Sequence, residues 1–400
     1  MLDLNKVASQ MQGIGEHLQQ ESQAAQKRLE SALDILQQAI DRQAELVAKQ
    51  KHWRDRMAFT AAQPLEPLDK ITDIPKPPES HTVIATDGSQ ISPSHHEIAY
   101  CYLINIGRVV LHYGQSRYPL LDSLPEVYYR AEDLYASRQW GIQTEEWMGY
   151  QRVVSEIEAL SELASALASQ QPTYAPMLAL VDGSLIYWFL DNLPNPARDR
   201  ILEPILIAWR QMQQAGVPLL GYISASRNRS TLNFLRLPAC PYIAPDCLTH
   251  CLPQQNSSVN PSPPPCQLFD PLRDTSLWGT LLEPGQRSPL WRSWAKVLDR
   301  YEQPINFCYL HAGTEIARVE MPAWVAREET TLNRCLGLVL AQVQKGYGYP
   351  VALAEAHNQA VVRGGDRQHF FAMLEQKMIE AGMKNVGTSY KETRKRGSVA

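Results

Sequence analysis

The chain has 400 residues, with 38 basic and 42 acidic side chains, a formal charge of −4 and 44% apolar residues. That length allows two or three domains, or one large domain with insertions, and the apolar content supports a buried core rather than disorder. No run approaches about 18 consecutive apolar residues, so no membrane span is expected. The first residues, MLDLNKVASQMQG, lack the basic and apolar regions of a secretory signal. The overall charge is not that of a basic protein that wraps nucleic acid.

Residues 1–60 read as a long helical arm. Leu4, Val7, Met11, Ile14 and Leu18 alternate three and four apart, and the stripe resumes at Ala25, Leu29, Leu33, Leu36, Ile40, Ala44 and Val47. This coiled-coil or helical-hairpin periodicity fits an arm folded back on the body, or one that dimerises or docks a partner. Pro64, Pro67, Pro75, Pro77 and Pro78 mark 61–80 as a stiff linker. The body, 81–383, opens with HTVIATDGSQ, a buried strand ending in a turn. EIAYCYLINIG and RVVLHYG then predict a hairpin with Gly107 near its turn. A helix over 144–170 precedes the short apolar run MLALVDGSLIYWFL. A helix over 198–215 leads to the strand VPLLGYISAS, and a polar, proline-rich insertion occupies 238–266. Strands return at INFCYLHAG and EIARVEMP, followed by helices at 328–345 and 365–381 and a basic tail, 384–400. Strands first in a hairpin, then alternating with helices, predict an α/β fold with a mixed sheet flanked by helices. GxxxxGK[ST] and GxGxxG are both absent, so a built-in nucleotide site has no support.

Seven cysteines, without an export signal, fit reduced thiols in a cytoplasmic protein. Cys101, Cys308 and Cys335 sit in apolar contexts and are expected in the core. Cys240, Cys247, Cys251 and Cys266 share the insertion with His250. Zinc prefers such ligands, although paired CxxC knuckles are missing, so the set reads as a structural Zn2+ site or as unliganded thiols.

Two aspartates share one context. Asp87 in VIATDGSQ and Asp182 in LALVDGSL each end an apolar run and precede Gly-Ser. Two carboxylates delivered to neighbouring strand ends suit a divalent cation, while Asx-type turns would explain each one singly. Glu156 falls on the apolar stripe of helix 144–170, where an unpaired carboxylate is costly. Arg152 offers it an ion-pair partner one turn away, and Glu158 and Glu162 lie on the polar face. His357 lies in a moderately apolar segment eight residues after Tyr349.

With these pieces in order, the sequence resembles the NurA family of DNA-end-processing nucleases. The matching segments are TDGSQ at 86–90, RVVSE at 152–156, LVDGSL at 180–185, IARVEMPAWV at 316–325 and GYPVALAEAH at 348–357. The resemblance implies an RNase H-like fold, a site for Mn2+ or Mg2+, and nuclease activity on DNA ends in double-strand-break repair. It also implies a homodimer that works with a hexameric HerA-type ATPase. Carried over by motif, Asp87, Glu156, Asp182 and His357 are the metal-binding and catalytic set, with Tyr349 accessory and Tyr347 its rival. Arg227 is the basic residue expected after the middle strand. Arg227, Arg229 and Arg236 are candidates for phosphate contact, with ordinary surface charge as the plain alternative. Two other functional readings stay open: a catalytically weak DNA-binding or ATPase-adaptor subunit with this fold, and another metal-dependent phosphoesterase.

Overall fold

The structure is a computed structural model that describes residues 3–11, 13–93, 99–170, 175–251 and 263–383. In chain order the helices and strands begin with α1 (Leu4–Gln10), α2 (Ile14–Ile40), α3 (Gln43–Trp53), β1 (Gln63–Pro64) and β2 (Thr72–Asp73). Next come β3 (His81–Ile91), β4 (Tyr102–Tyr113), β5 (Leu120–Tyr128), α4 (Ala131–Tyr135), α5 (Thr144–Gln170), β6 (Met177–Asp182), α6 (Asn195–Gln214) and β7 (Leu219–Ile223). Then follow α7 (Ser230–Leu235), α8 (Cys247–His250), α9 (Asp274–Leu281), β8 (Gln286–Arg287), β9 (Trp291–Arg292), β10 (Ile305–His311) and β11 (Ile316–Pro322). The last three are α10 (Glu329–Lys345), α11 (Val351–Ala360) and α12 (Gly364–Glu380). Two compact units divide the chain: Met1–Ile74 with Ile223–Ala323, and Pro75–Tyr222 with Trp324–Ala400.

The second unit carries a mixed sheet in the order β7-β6-β3-β4-β5. β7, β6 and β3 run parallel, while β4 and β5 continue as an antiparallel meander. This is the α/β architecture with a mixed sheet flanked by helices that the sequence predicts. β3 and β6 are nearly continuous apolar runs because helices cover both faces of a parallel sheet. The hairpin expected within 97–113 is not there. β4 is one unbroken strand paired with β3 along its length, and Gly107 sits in its middle. β5 escapes the sequence reading because it is an exposed edge strand carrying Asp122, Pro125 and Glu126, a composition that reads as loop. Helix α5 matches the expected 144–170 and packs on β3, β4 and α6, where Ser161 donates to the Ala208 carbonyl.

The first unit holds the antiparallel ladders β1–β9–β10–β11 and β2–β8–β10. Its core joins Trp278, Trp291, Phe307 and Tyr309 to Ala32, Leu36, Ala39 and Leu46. The expected single helix over 1–58 is therefore three. Gly13 caps α2 with a left-handed φ of 83°, and the chain turns again at Asp41–Arg42. The second turn has a physical cause. Gln43 hydrogen-bonds the backbone of Glu66 and Leu68, and the fully buried Gln50 donates to the Ala61 carbonyl. Two glutamines that look like solvent-facing positions are thus spent on backbone contacts, Gln43 half-buried and Gln50 fully buried. The stretch 61–80, expected to be a spacer, contributes β1 and β2 and buries Leu68 within this unit. Cys101, Cys308 and Cys335 are buried as expected. The basic tail, 384–400, and residues 252–262 of the insertion lie outside the described residues.

Candidate metal centre

Register brings the two DGS aspartates together. Thr86 of β3 pairs with Val181 of β6 in parallel, so Asp87 and Asp182 follow side by side where β6 ends. Such strands lie about 4.8 Å apart. The turn expected at DGSQ is not there, because β3 runs on through Asp87 to Ile91, paired with β4. The row continues on either side, with Asp87 opposite Gly107, Gly107 opposite Ser123, and Asp182 opposite Tyr222.

Helix α11 crosses the sheet at this row. A Cβ on Gly107 would collide with the backbone of Ala356 and Ala360, so the glycine is there to let a helix approach. Ser89 and Asn105 both donate to the Ala360 carbonyl, the latter at 2.8 Å, and anchor the end of α11. Held this way, His357 places Nδ1 2.8 Å from Asp87 Oδ2. The other oxygen, Asp87 Oδ1, accepts the Gly88 N–H at 2.8 Å.

Glu156 arrives from α5 on the opposite face of β3. Side chains alternate along a strand, and here a Cβ on Gly88 would strike Glu156 and Arg152. Thr86 Oγ1 donates to the Glu156 carbonyl at 2.8 Å, pinning the helix to the strand. Arg152 lies 3.4 Å from Glu156 Oε1 and donates to the Gly88 carbonyl at 3.2 Å. The glycine of TDGS thus serves two purposes. It allows close approach of the helix, and its N–H also reaches the Glu156 carboxylate.

Asp182 receives a hydrogen bond from Tyr349, whose ring meets Tyr222 edge-on at 5.8 Å. Gly183 follows with φ 111°, a left-handed value that turns the chain away from the strand end. Tyr347, the rival of Tyr349, is 97% exposed. Glu158 and Glu162 instead share a groove with Arg200 and Glu203, away from Asp87.

The electrostatics of the three acids are mutually unfavourable. Burial pushes Glu156 up to about 8; Arg152 and the Gly88 N–H oppose this, while Asp87 and Asp182 reinforce it. Burial also raises Asp182, with Asp87 adding to the rise and Tyr349 and His357 working against it. Among the described residues, no three His, Cys, Asp or Glu side chains stand in a ready metal-holding arrangement. The donor chemistry nonetheless fits a hard divalent cation. Three carboxylates and an imidazole supply oxygen and nitrogen ligands, and a cation relieves the repulsion that raises Glu156 and Asp182. Arg152, Ser89, Asn105 and Gly107 were not read as parts of this site. Arg152 appeared only as an ion-pair partner, and the others act through backbone contacts that a sequence does not display.

The remaining candidates belong to the first unit. Arg227 is exposed. Arg229 is ion-paired with Asp270, and Arg236 lies 3.8 Å over the Phe59 ring.

A mixed sheet flanked by helices, with Asp87 and Asp182 brought side by side on neighbouring strands, sets the architecture, and the family follows from sequence. A NurA domain model matches residues 81–362, and the chain belongs to the NurA family. No curated protein matches it in sequence. Among solved structures, the NurA nuclease from Sulfolobus solfataricus is similar over 78% of this chain and 88% of its own, at 13% identity and a TM-score of 0.47. The catalytic domain of human endonuclease V is similar over 84% and 98%, at 11% identity and a TM-score of 0.32. A type 1 RNase H with a type 2 active-site motif, LC9-RNase H1, is similar over 42% and 72%, at 13% identity and a TM-score of 0.19.

Proposed function

We propose that the protein is a divalent-metal-dependent DNA nuclease that processes DNA ends in double-strand-break repair, with Mn2+ or Mg2+ as its ion. The observation that carries this reading is that Asp87, within β3, and Asp182, at the end of β6, follow one register pair side by side, with Glu156 close enough to be raised by both. Family membership supports it. Asp87, Glu156, Asp182 and His357 would hold the ion, which supplies a Lewis acid and a water made acidic enough to attack phosphate.

The chain's own groups then have defined tasks. Tyr349 fixes the Asp182 carboxylate by its hydrogen bond. Arg152 and the Gly88 N–H fix Glu156. Asp87 engages His357 Nδ1, so Nε2 is the nitrogen left either to hold the ion or to exchange a proton with solvent or substrate. Partnership with a HerA-type ATPase and a homodimeric state complete the proposal. The exposed apolar residues Leu4, Met11, Ile14 and Leu18 are compatible with such contacts. Weak DNA binding by a lone subunit of charge −4 is expected, with grip gained through assembly.

The test is degradation of linear single- and double-stranded DNA with and without Mn2+. Asp87→Asn and Asp182→Asn should each reduce it to background while circular dichroism and melting remain close to those of the parent. Parent-like activity in a clean preparation of either variant would reject the site. Activity of the parent on small phosphomonoesters but not on DNA would reject the substrate.

A further inference from the structure

The insertion that the nuclease chemistry does not use gathers four thiols. Cys240 follows α7, Cys247 and Cys251 lie one turn apart around α8, and Cys266 returns from beyond the loop. All four line one narrow cavity, together with Arg236, Phe59 and Tyr242. Cys247, Cys251 and Cys266 are 5%, 8% and 3% exposed, and none of the four is in a disulfide. The i, i+4 spacing in α8 puts Cys247 and Cys251 on one face. Asp246 caps that helix through the Thr249 N–H and is itself held by Arg56 at 2.8 Å. His250 is stacked on Tyr242 at 4.2 Å, which leaves the thiols as the convergent donors.

A second observation concerns charge. Arg236 donates to Cys266 Sγ at 3.5 Å, and among the described residues it pairs with no carboxylate. Its Nε is buried without a hydrogen-bond partner among the described residues. A neutral thiol is a poor acceptor for a guanidinium, whereas a thiolate is a strong one. A buried guanidinium beside four sulfurs matches a cluster whose sulfurs carry negative charge.

We propose that Cys240, Cys247, Cys251 and Cys266 bind one zinc ion as a structural tetrathiolate site. Binding releases the four thiol protons to solvent and leaves a complex of net charge −2, which Arg236 partly offsets. The thiols stand together without being at coordinating positions, so side-chain rotation within the cavity completes the tetrahedron. The ion then ties Cys266 to α8 and to the stretch that follows α7.

Zinc content by elemental analysis of the full-length protein, purified under reducing conditions without added metal, tests this. The expected value is about one zinc ion per chain. A mercurial thiol reagent should release it, and Co2+ added to the stripped protein should give the visible spectrum of tetrahedral thiolate coordination. Cys247→Ser and Cys251→Ser should each lose the ion, whereas Asp87→Asn and Cys335→Ser should retain it. Parent protein free of zinc, or an intact mass showing a disulfide among these cysteines after reducing purification, would overturn the proposal. So would zinc lost with Asp87→Asn but kept in Cys247→Ser. Because the parent's own zinc content decides, a variant that does not fold leaves the test intact.

Discussion

Gly88 and Gly107 determine where the proposed metal-site side chains stand. Each occupies a strand position at which a Cβ would collide with a helix that carries a site residue: Glu156 on α5, and His357 on α11. Gly107→Ala should cost about 1–3 kcal/mol of stability, the usual penalty for overpacking. Denaturant melts check the loss, and activity should fall with it because α11 must lift. A stable and fully active Gly107→Ala would contradict the close packing. Ser89→Ala and Asn105→Ala each remove one hydrogen bond to the Ala360 carbonyl, worth about 0.5–1.5 kcal/mol. They should lower kcat more than they raise KM, because they shift His357 rather than substrate contacts. At this scale the sequence was partly legible. The repeated DGS context pointed to Asp87 and Asp182 because two carboxylates in one context suit a shared cation, where a single one reads as an Asx-type turn. Gly107 was misread as a turn residue. A glycine serving helix approach and one serving a turn look alike until the packing partner is known.

At the scale of elements, helix α5 and strands β3, β6, β10 and β11 were readable, because each is a periodic or continuous apolar run with clear ends. The N-terminal stripe was readable as helix but not as three helices. Its first part leaves Leu4, Met11, Ile14 and Leu18 exposed, while its later part buries Leu36 and Leu46. These two parts should therefore respond differently to substitution. Leu46→Ala, at a fully buried position, should destabilise its unit by about 2–5 kcal/mol. Leu4→Ala or Leu18→Ala should leave the melting of the isolated chain unchanged. Thermal melts of the three variants side by side check this; equal losses would show that the first part also belongs to the core.

For the whole molecule, the first unit is fastened by a buried ion pair that joins the 61–80 stretch to its sheet. Glu66 Oε2 lies 2.6 Å from the fully buried Arg287 and accepts the Leu290 N–H at 2.7 Å. Burial alone would raise this carboxyl, but hydrogen bonds from Arg287, Lys70 and Leu290 outweigh it and bring it to about 2. Depressed in the folded chain, Glu66 stabilises it fully above the unfolded value near 4.5. That stabilisation, about 3 kcal/mol, is lost as pH falls through 2. Acid unfolding of the parent should therefore steepen below pH 4.5, and Glu66→Gln should flatten that dependence while lowering stability at neutral pH. An unchanged acid limb in the variant would remove Glu66 from this role. Proline content had marked the same stretch as a spacer, since nothing in composition reveals that its backbone pairs with distant strands.

Charge at this scale also reads differently once the fold is known. A net −4 counts against a basic DNA-wrapping surface, yet part of the acidic count is concentrated where three carboxylates repel one another and a cation would relieve them. The most direct test of that centre is a crystal structure of the protein grown with Mn2+ and measured at a wavelength where manganese scatters anomalously. A peak between Asp87 and Asp182, within reach of Glu156 and His357 and lost in Asp182→Asn, is the expected result. No peak there at saturating Mn2+, in a preparation that degrades DNA, would contradict it.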